Sequence, residues 1–146
     1  MAVSVLMMMM MLMGAVLGMA GVSLSYGDSV PASQPQITVI NESDNGRKLC
    51  LKRGEILEVR LQAQFGTGYR WELRKPPASR LKLIGQSVES APPGDESGYE
   101  TQVFRFEARS AGNFTIRLDH VRPWEAGIDP LKTFSVSGKI VKASAK

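Results

Sequence analysis

The chain has one cysteine and one histidine in 146 residues, no charged side chain from Val3 to Val22, and no run with the apolar spacing of a long amphipathic helix. Each shortage excludes something. A single thiol, Cys50, cannot close an internal disulfide, so the domain must be held by its apolar core. One thiol and one imidazole, His120, supply no paired ligand spacing for a zinc site. Cys50 lies between Leu49 and Leu51 in a strand-like run, where burial is expected rather than nucleophilic work. Gly66-Thr67-Gly68 is not followed by the Gly-Lys-Ser/Thr of a phosphate cradle. Asp95-Glu96 with Glu100 could form an acid and base pair, but carboxylates in a tip rich in Gly, Pro and Ser are solvated turn residues. An enzyme is not expected, nor a cofactor or metal.

The uncharged N-terminus contains all eight methionines, including the run Met7 to Met11, and leads to Gly18-Met19-Ala20, a small-x-small cleavage pattern. It reads as a secretory signal peptide ending at Ala20. An uncleaved anchor is the alternative, since about 18 apolar residues span a bilayer. The expected organisation is residues 1–20 as signal peptide, 21–35 as a flexible lead-in, and 36–146 as one domain. Its destination would be the medium, the periplasm or a vacuolar or lysosomal lumen, with no membrane association after cleavage. Asn41-Glu42-Ser43 and Asn113-Phe114-Thr115 are N-glycosylation sequons. The net charge of +4 is spread among interleaved acids. That favours solubility and steering toward an acidic partner over nucleic-acid binding, and a monomer is expected.

What is present is period-two alternation. Leu57, Val59, Leu61 and Ala63 alternate with Glu58, Arg60 and Gln62; Tyr69, Trp71 and Leu73 alternate with Arg70, Glu72 and Arg74. The pattern returns at Phe104 to Ala108, Phe114 to Leu118 and Phe134 to Ile140, with shorter runs at 37–40, 49–51 and 81–88. These are strands with one wet face. Turn residues punctuate at Asn45-Gly46, Arg53-Gly54, Pro92-Pro93-Gly94, Ala111-Gly112 and Asp129-Pro130. The expectation is an all-β, immunoglobulin-like antiparallel β-sandwich of seven or eight strands, with Trp71 as its central aromatic.

Three segments stand between these strands as candidate binding loops: Gln64-Phe65-Gly66-Thr67-Gly68-Tyr69, Gly94-Asp95-Glu96-Ser97-Gly98, and Arg122-Pro123-Trp124. Glycines at 66 and 68 are expected to permit positive φ, and Pro123 stiffens its own loop. Trp124 beside Arg122 has the composition of a binding hot spot if exposed, and would otherwise cap the sandwich end. Tyr69, on the parity of Trp71, is expected to support its loop, and His120 to position or flank one.

These residues resemble the chagasin family of protein inhibitors of papain-like cysteine peptidases. The family's first loop, Asn-Pro-Thr-Thr-Gly followed by an aromatic, one residue and Trp, falls on Gln64 to Trp71, with Thr67, Gly68, Tyr69 and Trp71 retained. Its last loop, Arg-Pro-Trp, stands unaltered at 122–124. The middle Gly-rich tip corresponds to Gly94 to Gly98. The resemblance implies a reversible, tight-binding inhibitor whose three loops occlude the active-site cleft, with Thr67 across the catalytic pair and Trp124 beside it. A secreted immunoglobulin-like adhesion or carbohydrate-binding module is the alternative.

Overall fold

The computed structural model describes residues 33–144, apart from Pro76 and Ala78. The expected signal peptide and most of the lead-in lie outside the described residues. Eight strands follow in order: β1 (Ile37–Asn41), β2 (Lys48–Lys52), β3 (Ile56–Ala63), β4 (Arg70–Leu73), β5 (Leu81–Glu89), β6 (Glu100–Ala108), β7 (Gly112–Val121) and β8 (Lys132–Val141). They form two four-stranded sheets, β1-β3-β6-β5 and β2-β8-β7-β4. The only helical turns among the described residues are 3-10 segments at Glu42–Asp44 and Phe65–Thr67.

The alternation seen in the sequence is what closes the sandwich. Leu57, Val59, Leu61 and Ala63 face inward from β3, Phe104, Phe106 and Ala108 from β6, Phe114, Ile116 and Leu118 from β7, and Phe134, Val136 and Ile140 from β8. Trp71 joins them at 2% exposure. Burying each large apolar side chain contributes roughly 1.5–3 kcal/mol, and this single cluster takes the place of a disulfide.

The ladders are antiparallel except at two edges. β1 runs parallel to β3, and β2 parallel to β8. Neither pair is joined by a hairpin: between β1 and β3 the chain crosses to the other sheet to form β2, and a strand that returns after a crossing arrives in the same direction as it left.

Cys50 is exposed, contrary to the expectation of burial. The run Leu49-Cys50-Leu51 obeys the pleat, with Leu51 buried and Leu49 half-buried, so the residue between them must point to solvent. A register shift between Leu83 and Gly85 likewise breaks the parity of β5, leaving Ile84 and Val88 about half exposed.

Candidate functional site

The registers put all three candidate loops at one pole. Ala63, the last residue of β3, pairs with Glu100, the first of β6, so the segments leaving β3 and entering β6 emerge side by side. Arg70, the first residue of β4, pairs with Val121, the last of β7. Trp71 Nε1 donates to the Gln62 carbonyl at 2.9 Å, joining β4 to β3 across the two sheets.

The first loop is a closed 3-10 turn. Thr67 N and Oγ1 both donate to the Gln64 carbonyl, at 3.0 and 2.7 Å, and Gly68 N donates to Phe65 O at 2.9 Å. Phe65 packs on the core as the turn's anchor, while Gly66 and Thr67 are exposed. Of the two glycines only Gly68 has positive φ, at +82°. Gly66 sits inside the 3-10 turn, where the backbone is right-handed, so the expectation of positive φ there is corrected.

The third loop is fastened to the first. Arg122 Nε donates to the Thr67 carbonyl at 3.0 Å, its Nη1 meets Glu125 Oε1 at 3.2 Å, and its guanidinium lies 4.4 Å from the centre of the Tyr69 ring. Tyr69 leans on His120, centroids 5.4 Å apart, and His120 stacks on Trp71 at 4.8 Å. A column therefore runs from Trp71 in the core through His120 and Tyr69 to Arg122. Trp124 stays 69% exposed, so it is no cap. The edge of its indole lies against Gly68: a Cβ there would sit 2.7 Å from Cζ2 and closer still to Cη2.

The middle loop forms the β5–β6 tip. Asp95 N donates to Pro92 O at 3.0 Å, Asp95 Oδ1 accepts from Ser97 N at 2.9 Å, and Ser97 Oγ accepts from Tyr99 N at 3.3 Å. Those bonds to backbone and side-chain donors of Ser97 hold the Asp95 carboxyl below its ordinary pKa. Gly94 and Gly98, with φ of +89° and +73°, let the tip reverse. Glu96 is exposed with the rest of it.

The family model of the chagasin family peptidase inhibitors (I42) matches residues 50–137, more than half of the chain. This chain belongs to the chagasin family. It is also similar to Amoebiasin-2 of Entamoeba histolytica, at 24% identity over 103 residues covering 69% of this chain and 83% of that protein. Among solved structures it resembles the cysteine protease inhibitor EhICP2 from Entamoeba histolytica, with a TM-score of 0.67 and 22% identity over 74% of this chain and 98% of that one. The solution structure of Amebosin gives a TM-score of 0.59 at 20% identity, over 73% of this chain and 99% of that one. As a member of the chagasin family, a family of peptidase inhibitors, the protein is not an enzyme.

In this chagasin-family domain the brace beneath the loops is electrically quiet. His120 is 6% exposed. Burial, then Lys132, pushes its imidazole below the ordinary histidine pKa, against weaker opposition from Glu42 and the Tyr69 backbone; neither ring nitrogen meets hydrogen-bond geometry. A neutral ring packs between two aromatics without a desolvated charge. Lys132 faces His120 across the β7–β8 ladder.

A depression of about 1110 Å³ lies beneath the 125–130 segment and reaches Arg122 and Pro123. Several of its charges are paired: Asp119 with Arg74 and Arg117, Glu125 with Arg122, and Glu72 with Arg70 just outside it. Gly66, Thr67, the 94–98 tip and Trp124 are exposed and do not line this depression. Among the described residues no three Cys, His, Asp or Glu side chains cluster as a metal site.

Sequence reasoning missed Gln102. Its signal is legible afterwards: it occupies the inward parity of Phe104, Phe106 and Ala108, a polar residue on a core face.

Proposed function

We propose that the protein is a reversible, tight-binding inhibitor of papain-like cysteine peptidases, which it blocks by setting Gln64–Tyr69, Gly94–Gly98 and Arg122–Trp124 into the active-site cleft. The observation that carries this reading is the fastening of the first loop to the third through Arg122, Tyr69 and Thr67, with Trp124 left exposed beside Gly68. Two loops locked before contact lose little entropy on binding, and an exposed indole next to a guanidinium is the side-chain chemistry of an interface anchor. Thr67 then crosses the catalytic Cys/His pair of the peptidase, Trp124 packs beside it, and the middle loop touches the opposite wall. The expected contact is of ordinary size, roughly 800 Å² on each partner.

The protein is exported by its N-terminal signal and acts as a monomer in this reading. Titration of papain tests it: activity should fall linearly to zero at one inhibitor per active site and return on dilution with the inhibitor chain uncut. Trp124→Ala should raise the inhibition constant by about 30-fold or more, whereas Arg74→Ala, an exposed position just past the end of β4 that faces away from the loops, should stay within about threefold. Equal constants for the two variants would remove Trp124 from the contact, and papain left fully active would remove the function.

A further inference from the structure

One buried polar side chain has no place in the loop motifs. Gln102 is 1% exposed, on the inward face of β6, between Leu61 of β3 and Val88 of β5. Its amide reaches across to the opposite sheet. Oε1 accepts from Trp71 N at 2.9 Å and Nε2 donates to Trp71 O at 2.8 Å. Both ends of one side-chain amide are thus spent on one backbone residue.

The topology explains why that residue needs them. β4 is the edge of its sheet. The Trp71 N–H and carbonyl are bound by Gln102, so Trp71 and His120, opposite each other on β4 and β7, form a non-hydrogen-bonded pair, the arrangement that brings facing side chains closest. This is the pair whose rings stack at 4.8 Å. The backbone groups of Trp71 therefore point off the sheet edge, where an open strand would leave them unpaired. Gln102 stands in for a neighbouring strand there.

Apart from these bonds and the one from the Trp71 indole to the Gln62 carbonyl, the side chains packed between the sheets here are apolar, and apolar contact is not directional and permits sliding. Two short amide bonds are directional. They fix the height of Trp71, two residues after Tyr69 ends the first loop, against Gln102, three residues after Tyr99 ends the middle tip. The same indole is tied to Gln62, at the far side of the first loop.

Resting on the inhibitor reading above, we infer that Gln102 is a positioning residue that sets the middle loop against the first loop and, through the Trp71–His120 stack, keeps the inhibitory surface in one geometry. It touches no partner itself. The residue is a determinant of inhibition placed in the core.

The test compares Gln102→Leu and Gln102→Glu with the wild-type protein against papain, across pH 5 to 8.5, alongside thermal melting of each variant. Leucine fills the volume and offers neither bond; its inhibition constant should rise by about tenfold or more, with the same ratio to wild type at every pH. Glutamate separates positioning from mere packing. Protonated, it donates and accepts as glutamine does; ionised, it leaves the Trp71 carbonyl without a donor. Its constant should approach the wild-type value at pH 5 and climb about tenfold as the carboxyl ionises. Leu61, Val88 and Trp71 around it are apolar, and His120, beyond the Trp71 ring, is common to wild type and cancels in the ratio.

Wild-type protein that leaves papain active refutes the inhibitor reading itself. Wild-type inhibition with a flat pH ratio for Gln102→Glu refutes the positioning role, as does a Gln102→Leu protein that melts lower yet inhibits like wild type. If Gln102→Leu does not fold, the Gln102→Glu profile decides alone.

Discussion

Replacing Gly68 by alanine tests the joint between the first and third loops. Two costs are separable in this structure. The backbone cost follows from φ of +82°, a left-handed conformation that a residue with Cβ adopts at about 1–2 kcal/mol. For a domain of this size that lowers the melting temperature by several degrees, at roughly 4–8 °C per kcal/mol. The second cost is steric. The new Cβ would stand 2.7 Å from Trp124 Cζ2 and nearer to Cη2, and the indole, being 69% exposed, is free to swing outward. Folding is spared that part. Binding is not, because the displaced ring is the proposed anchor, and loss of such an anchor costs about 2 kcal/mol or more, roughly 30-fold in the inhibition constant. Gly54→Ala is the internal control, since φ there is +91° and a Cβ meets nothing within 4 Å, in a turn at the opposite pole from the loops; it should melt lower by a similar amount yet inhibit within about threefold of wild type. Papain inhibition and thermal melting of the two variants, with Gly68→Ala/Trp124→Ala as the third member of a cycle, read both costs. The double variant should be little worse than Trp124→Ala. If Gly68→Ala and Gly54→Ala inhibit equally, or if the double variant loses the sum of its parts, the joint does not act through Trp124.

His120, with its pKa held low by burial and then by Lys132, takes up its proton less readily folded than unfolded. Stability should therefore decline as pH falls below the unfolded value near 6.5 and level off below the folded value; denaturant midpoints from pH 8 to 4 should show this slope, and His120→Phe should lose it. Asp119 acts in the same direction at lower pH: burial raises its pKa, but bonds from Arg74, then Arg117 and Thr133, outweigh burial and leave it lowered. Its contribution is present above the unfolded value near 3.8 and is lost as pH falls through the folded one, so Asp119→Asn should cost about 1–2 kcal/mol at pH 7, the two exposed arginines being screened by solvent, and should flatten the acid limb of the same curve. Cys50, being exposed, should react stoichiometrically with an aromatic disulfide reagent without denaturant and without a shift in melting temperature.

Residue periodicity alone led to an all-β sandwich because inward parity is a local property: Leu57, Val59, Leu61 and Ala63 each declare their side of the pleat without reference to any other strand. The loops were legible for a similar reason, since glycine, proline and the Arg-Pro-Trp run carry their constraints within a few residues. Cys50 is exposed by the same rule, since Leu49 and Leu51 hold the inward parity on either side of it, and Gly66 lacks positive φ because glycine permits that conformation without requiring it. The parallel edge strands were invisible, as pairing partners are chosen only when the chain crosses between sheets.

By itself, then, the sequence determined which faces are apolar, where the chain turns, and which exposed side chains have the chemistry of a contact. Tertiary structure decided what those pieces do to one another. Arg122 and Thr67 are 55 residues apart, and Gln102 and Trp71 are 31 apart; no local pattern encodes such bonds, because a hydrogen bond's worth depends on geometry and burial that exist only once both sheets are in place.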